Sequence, residues 1–244
     1  EHFEICRLLG IGHGIVVITK RDLVDPEFID LVKQEVAELL RGTILENAPM
    51  ISVDSHSGRG IDQLKALLEK QLVDLDLDRD LQSRHQFRLP VDRVFTLKGF
   101  GTVVTGTTWQ GTIRKEDKVQ AYPSRSQGRV RNLQIYGRPA ASATGRQRTA
   151  LNLTGIDKGE LQRGTVLGPP GIFRSSFILD AGLELLASAP APLRPRTPVR
   201  FHHGSAEVIG RVHPIARKWL EPGETGLVQL RLEAPVIACA GDRF

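Results

Sequence analysis

Two short apolar runs, Ile15-Val16-Val17-Ile18 and Met50-Ile51-Ser52-Val53, punctuate the first third of the chain, and residues at helical spacing follow each. The first is uninterrupted and β-branched, the pattern of a strand buried on both faces of a parallel sheet. Phe3, Ile5, Cys6, Leu8 and Leu9 fit one side of a short helix that Gly10 and Gly12 stop. Asp25-Pro26 supplies an N-cap with proline at the first helical position. Phe28, Leu31, Val32, Val36, Leu39 and Leu40 then recur at helical spacing, and Gly42 closes the helix. A last helix starts near Ile61 and runs through Leu64, Leu67, Leu68 and Leu72. Strand followed by helix, twice, predicts the end of a doubly wound α/β domain over residues 1–73.

Residues 74–86 alternate Asp with Leu and then turn polar, which reads as a linker. Beyond it the period drops to two, and glycine and proline become frequent. Val91 to Thr96, Thr102 to Thr105, Lys118 to Ala121, Gly128 to Ile135, Thr149 to Leu153 and Thr165 to Leu167 predict short strands separated by turns. Such spacing indicates a β-barrel or sandwich. Gly168-Pro169-Pro170-Gly171 is a rigid break, which divides one β unit, 87–171, from a second, 172–244. The expected fold class is therefore α/β followed by all-β.

Composition adds exclusions. In 244 residues, 40% are hydrophobic and 25% charged, ordinary globular figures. No apolar run approaches the roughly 20 residues that a membrane-crossing helix needs. The first residues, Glu1-His2-Phe3-Glu4, lack the basic and apolar regions of a signal peptide, and the missing initial Met suggests a chain cut from something longer. Cys6 and Cys239, at opposite ends, make neither metal spacing nor a disulfide framework, which points to a reducing cytoplasm. The net charge of +5 is unevenly spread: residues 1–86 carry 10 Lys and Arg against 16 Asp and Glu, and residues 87–244 carry 23 against 12. A strongly basic rear suits a polyanion partner, though a solvated basic surface fits equally. Arg125, Arg129, Arg131, Arg138, Arg211, Arg217 and Lys218 are the candidates for RNA phosphates. His202, His203 and His213 have no Cys or carboxylate cluster beside them and read as packed or surface histidines, so no metal site is expected.

Two loops carry candidate chemistry. Thr19-Lys20-Arg21-Asp22 follows the first apolar strand, where ligands of open α/β sheets sit. An Asp there can accept from guanine N1–H and its exocyclic amine together, a donor pair that adenine lacks, while the Lys20 stem covers the base. Asp54-Ser55-His56-Ser57-Gly58 follows the second strand in the same way, and its N–H groups suit the guanine carbonyl. A solvated turn and an ordinary Ser/Gly loop are the bland readings of the two segments.

Together these segments resemble the last two guanine-recognition motifs of a translational GTPase. Leu89-Pro90-Val91-Asp92-Arg93-Val94-Phe95-Thr96-Leu97-Lys98-Gly99-Phe100-Gly101-Thr102-Val103-Val104-Thr105-Gly106-Thr107 closely resembles the opening of domain II in the selenocysteine-specific elongation factors. Gly145 to Leu153, Gly159 to Gly164 and Arg200 to Gly204 agree with that family too, and the resemblance covers nearly the whole chain. It implies the C-terminal part of a P-loop GTPase domain plus two β-barrel domains, the second truncated at its C-terminal end. Its members bind GTP or GDP with Mg²⁺, deliver selenocysteyl-tRNA to the ribosome, and grip a messenger RNA hairpin through a C-terminal region that this chain does not reach. A cytoplasmic monomer is the matching expectation. Thr19, Lys20, Asp22, Asp54 and Ser55 would bind guanine, although Thr19 stands where other GTPases have Asn and Asp54 where Ser is more usual. The chain has no G-x-x-x-x-G-K-[ST] loop, switch segments, Mg²⁺ loop or catalytic His of that family, so no catalytic residue is assigned and inactivity alone is expected.

The resemblance also implies that Arg93 and Arg148, with Asp92 nearby, face the aminoacyl group. In elongation factor Tu the matching string has an acidic residue where Arg93 stands. Selenocysteine's selenol ionises well below neutral pH, whereas serine, carried on the same tRNA before conversion, is neutral. Two guanidiniums would attract the selenolate and leave serine facing unpaired buried charge, a mismatch worth on the order of 10⁴-fold. An elongation factor Tu-like or initiation factor gamma-subunit-like GTPase, and a non-enzymatic basic RNA-binding module, are the rival readings.

Overall fold

A computed structural model describes residues 2–74, 85–97, 99 and 101–244. The 74–86 linker expected from sequence falls almost wholly outside these residues. The chain divides into two compact units, 1–77 and 78–244.

In the first unit, α1 (His2–Leu8) precedes β1 (Val16–Ile18), α2 (Pro26–Leu40), β2 (Met50–Ser52) and α3 (Ile61–Asp74). The two strands pair in parallel, with Val16 opposite Met50 and Ile18 opposite Ser52. Parallel pairing requires a crossover, which α2 supplies. Proline stands at its first turn and Gly42, at φ +72°, lies just past its end. Strand β1 is half-buried rather than buried on both faces. Along α2 only Ile29 and Leu40 are buried, whereas Phe28, Leu31 and Leu39 are exposed.

The second unit is all β. Its first sheet runs in the order β10 (Gln147–Thr154), β4 (Gly101–Thr108), β3 (Leu89–Leu97), β11 (Val166–Gly168), β6 (Lys118–Tyr122), β7 (Gln127–Ile135) and β8 (Arg138–Ala140). Strand β10 also pairs with β7, which closes the sheet into a barrel. Inside it Leu89, Val91, Val104, Val119, Val130, Leu151 and Leu167 are fully buried. These are the inward halves of period-two strands, and closure removes the edges that an open sheet would expose. Short strands β5 (Thr112–Arg114) and β9 (Ser142–Thr144) pair beside the barrel. The period-two pattern did not single out β5, β8 or β9, each of three residues.

The expectation of two β-barrels is corrected by the second sheet. It has four strands in the order β12 (Ser176–Glu184), β15 (Thr225–Val236), β14 (Ala206–Pro214) and β13 (Thr197–His203). No pairing joins β12 to β13, so among the described residues this sheet is open and only one barrel is closed. Alternation within a strand is the same whether a sheet closes or not; closure depends on strand number and stagger, which the local pattern does not encode. One face of the open sheet packs a separate core around Phe201, Val212, Leu220, Val228 and Leu230.

Because Leu151 is fully buried in the barrel and Leu227 is largely exposed on the open sheet, truncating each has a distinct expected cost. Leu151→Ala lowers unfolding free energy by about 2–5 kcal/mol in a urea titration, while Leu227→Ala changes it by less than about 0.5 kcal/mol. Equal losses would contradict this placement of the core.

Candidate functional site

The parallel register of β1 and β2 sets the two guanine-type loops side by side at the carboxyl ends of adjacent strands. Lys20 takes a left-handed conformation, φ 59°, and opens a 3₁₀ turn over Arg21–Leu23. Arg21 ties this turn to the neighbouring strand: its backbone N–H donates to the Val53 carbonyl at 3.3 Å and its side chain to the Ser52 carbonyl at 3.3 Å. Thr19, Lys20 and Asp22 are exposed, and the Asp22 carboxylate accepts no hydrogen bond among the described residues. Asp54 is engaged differently. It is buried, and its carboxylate accepts from the N–H groups of His56 at 2.8 Å and Ser57 at 3.0 Å. Hydrogen bonds from Ser57 and His56 hold its carboxyl below the ordinary carboxylate range. Asp54 therefore shapes its own loop, while Ser55 beside it is exposed.

The second cluster lies on the outside of the barrel. The register of β3 against β4 slips between Val91, opposite Gly106, and Arg93, opposite Thr105. Asp92 is the extra residue of this bulge, and a bulge re-aims side chains that alternation would place on opposite faces. Asp92 and Arg93 accordingly share the outer face with Thr105. The Thr105 hydroxyl donates to Asp92 Oδ1 at 2.8 Å. From β10, Arg148 reaches across with Nη1 on Asp92 Oδ2, and its Nη2 donates to Asp92 Oδ1 at 3.2 Å and to Thr105 Oγ1 at 3.3 Å. Partial burial alone would raise the Asp92 carboxyl, but hydrogen bonds from Arg148 and Thr105, with the charges of Arg148 and Arg93, bring it below its ordinary value. Arg93 is exposed, and no carboxylate lies within ion-pair distance of it among the described residues. The trio thus carries one net positive charge rather than two free guanidiniums, and the Arg148 side chain remains 40% exposed. The expectation of unpaired buried charge does not fit this arrangement.

Known proteins resemble the chain along its whole length. Residues 101–168 match the family described as Elongation factor Tu domain 2, and residues 181–244 match Selenocysteine-specific elongation factor, beta-barrel domain. A selenocysteine-specific elongation factor from Desulfomicrobium baculatum is 44% identical over the whole chain, which covers 38% of that relative. The one from Methanocaldococcus jannaschii is 33% identical, again over the whole chain and 54% of the relative. The chain is a homologue of the selenocysteine-specific elongation factors. A crystal structure of a bacterial member superposes with a TM-score of 0.81 at 28% identity, covering 99% of this chain and 38% of that one. The apo form from Methanococcus maripaludis gives 0.85 at 25% identity, over 97% and 55%. This homologue spans about 38–54% of the length of these two curated relatives.

A third cluster, which the sequence did not reveal, joins the barrel of this elongation-factor homologue to its open sheet. Arg88 is buried to 3% exposure and donates from Nη1 and Nη2 to both carboxylate oxygens of Asp242, at 2.6 and 2.5 Å. The same carboxylate faces His203 Nε2 at 3.0 Å and accepts the Cys239 N–H at 2.8 Å. The Arg88 guanidinium lies 4.8 Å from the Trp109 ring centre, and Trp109 meets His203 edge-on at 5.1 Å. His203 is thus a packed, hydrogen-bonded histidine, and among the described residues no group of three or more His, Cys, Asp or Glu is gathered to hold a metal ion. No helix among the described residues is long and apolar enough to cross a membrane. The seven basic candidates for RNA contact are all exposed, with Arg129 and Arg217 near Glu116 and Glu224.

Burial opposes ionisation of Asp242, yet His203, Arg88 and the Cys239 N–H hold its carboxyl far below the ordinary range. A depressed folded-state value means that the stabilisation is complete above the unfolded carboxyl value of about 4 and is lost as pH falls further. Asp242→Asn leaves Arg88 buried without its counter-charge and lowers stability at pH 7 by about 3–5 kcal/mol. Urea titrations from pH 7 to pH 3 will also show a shallower acid loss in this variant than in the parent. Parallel acid profiles would contradict the assignment.

Proposed function

We propose that the chain is part of a GTP-dependent elongation factor that delivers selenocysteyl-tRNA to the ribosome for selenocysteine incorporation. The observation that carries this reading is the exposed, uncompensated Arg93 beside the Asp92–Arg148 pair, on a barrel of which residues 101–168 match Elongation factor Tu domain 2. Selenocysteine presents an anionic selenolate at neutral pH, and serine on the same tRNA presents a neutral hydroxyl. Arg93 supplies the attraction. Arg148, held by Nη1 on Asp92 and by Nη2 on Asp92 and Thr105, adds a directed donor. At an exposed site the gain is that of one screened charge pair, about ten- to a hundredfold, smaller than a buried mismatch would give.

Residues 1–73 would then belong to the nucleotide-binding domain, and residues 87–171 to the domain that meets the aminoacyl end. A guanine base would meet these loops at Asp22, whose exposed carboxylate is available to two donors, with Lys20 flanking it and Thr19 and Ser55 bordering the same strand ends. Asp54 would act by holding the N–H groups of its loop in place. GTP would bring the phosphates and Mg²⁺, for which these 244 residues offer no Gly-rich cradle, so the chain is expected to hydrolyse nothing alone. The exposed arginines of residues 87–244 suit the tRNA phosphates, and the ribosome and messenger RNA hairpin are partners of the whole factor.

Titrating the chain at low salt with selenocysteyl-tRNA, and with the same tRNA carrying serine, tests the reading. Selenocysteyl-tRNA should bind about ten- to a hundredfold more tightly, and Arg93→Ala should remove most of that preference. Equal binding of the two tRNAs would leave a translational factor with ordinary cargo. Equal binding of duplex RNA that carries no aminoacyl group would favour a basic RNA-binding module.

A further inference from the structure

We propose that Thr105 is a positioning residue for selectivity at the Asp92–Arg93–Arg148 site, fixing the Asp92 carboxylate and, through it, the plane of the Arg148 guanidinium; this rests on the aminoacyl-site reading above. Thr105 lies on β4, the strand between β3, which carries Asp92, and β10, which carries Arg148. Its hydroxyl donates to Asp92 Oδ1 at 2.8 Å and accepts from Arg148 Nη2 at 3.3 Å, so one oxygen holds both members of the pair. The carboxylate torsion of an aspartate is broad and two-fold, and a single arginine partner would let carboxylate and guanidinium turn together. The third contact removes that freedom. Thr105 carries no formal charge, so it leaves the net charge of the trio untouched. It is also opposite Arg93 in the β3–β4 register, which puts the fixed pair next to the free cation.

Thr107, two residues along β4 on the same outer face and directly opposite Arg148, is exposed and serves as a control for strand propensity and shape. Two readouts on the 244-residue chain test the proposal. The first is the titration of the Asp92 carboxyl followed by carbon-detected NMR; the second is the ratio of selenocysteyl-tRNA to seryl-tRNA affinity. Thr105→Val deletes the hydroxyl with little change of shape and should raise the Asp92 midpoint, because a hydrogen bond to the charged form is lost. It should also lower the affinity ratio about tenfold. Thr105→Ser should restore both, and Thr107→Val should move neither. An unmoved Asp92 midpoint in Thr105→Val overturns the proposal without touching the functional reading. A moved midpoint with an unchanged ratio, where Arg93→Ala does abolish the preference, likewise overturns only the positioning role. A ratio of one in the unsubstituted chain overturns the functional reading and this role with it.

Discussion

Closure of the barrel by β10 is the constraint on which the Asp92–Arg93–Arg148 cluster depends. This strand hydrogen-bonds to β4 along one edge and to β7 along the other, so it has no freedom to slide. A shift of one residue would turn Leu151 and Leu153 outward and Arg148 inward, at the cost of the core. The buried leucines therefore hold Arg148 on the outer face, opposite Thr107, within reach of Asp92 across β4. The bulge at Asp92 completes the arrangement from the other side. Core packing and site geometry are one register problem, solved once.

A second fixed point ties the barrel to the open sheet. Arg88 enters from the barrel, His203 from β13 and Asp242 from the last residues of the chain. Around them Ser205 donates its hydroxyl to the Val91 carbonyl at 2.6 Å, one residue before the bulge. Gly204, at φ 59°, packs so tightly on Trp109 that an added Cβ would come within 2.9 Å of the ring. Buried ion pairs add little net stability against an apolar core, but breaking one is costly, so such a contact resists separation of the two sheets. The strand that carries Asp92 and Arg93 is thereby held from outside as well as from the barrel interior.

How much of this was legible in the sequence follows from which signals are local. The strands around Val104, Val130 and Leu151 announced themselves by period two, and the crossover helix by Asp25-Pro26 and Gly42. The loops at Asp22 and Asp54 were marked by their place after apolar strands, yet only the structure separates an exposed carboxylate from one folded back on its own loop. Asp92, Arg93 and Arg148 came from resemblance, and their relation did not. A bulge is a fact about register between two strands, and strict alternation would have put Asp92 and Arg93 on opposite faces. Thr105 stands in a Thr-Val-Val-Thr run that reads as plain strand former. Arg88 and Asp242 lie 154 residues apart, with no spacing to betray them. Whether the second sheet closes is likewise a property of strand number and stagger.

On the proposed function, a single net positive charge on the outer face of the barrel meets a cargo whose distinguishing atom is an anion. The central claim is that charge, rather than size, separates selenocysteine from serine at this site. Measuring the selenocysteyl-to-seryl affinity ratio as pH is lowered from neutrality through the selenol's ionisation tests it most directly. Asp92 stays ionised through that range because its carboxyl is held below the ordinary value. The account predicts a ratio that is highest near neutral pH and falls towards one as the selenol gains its proton. A preference that persists unchanged through that transition would contradict it and would assign the discrimination to shape.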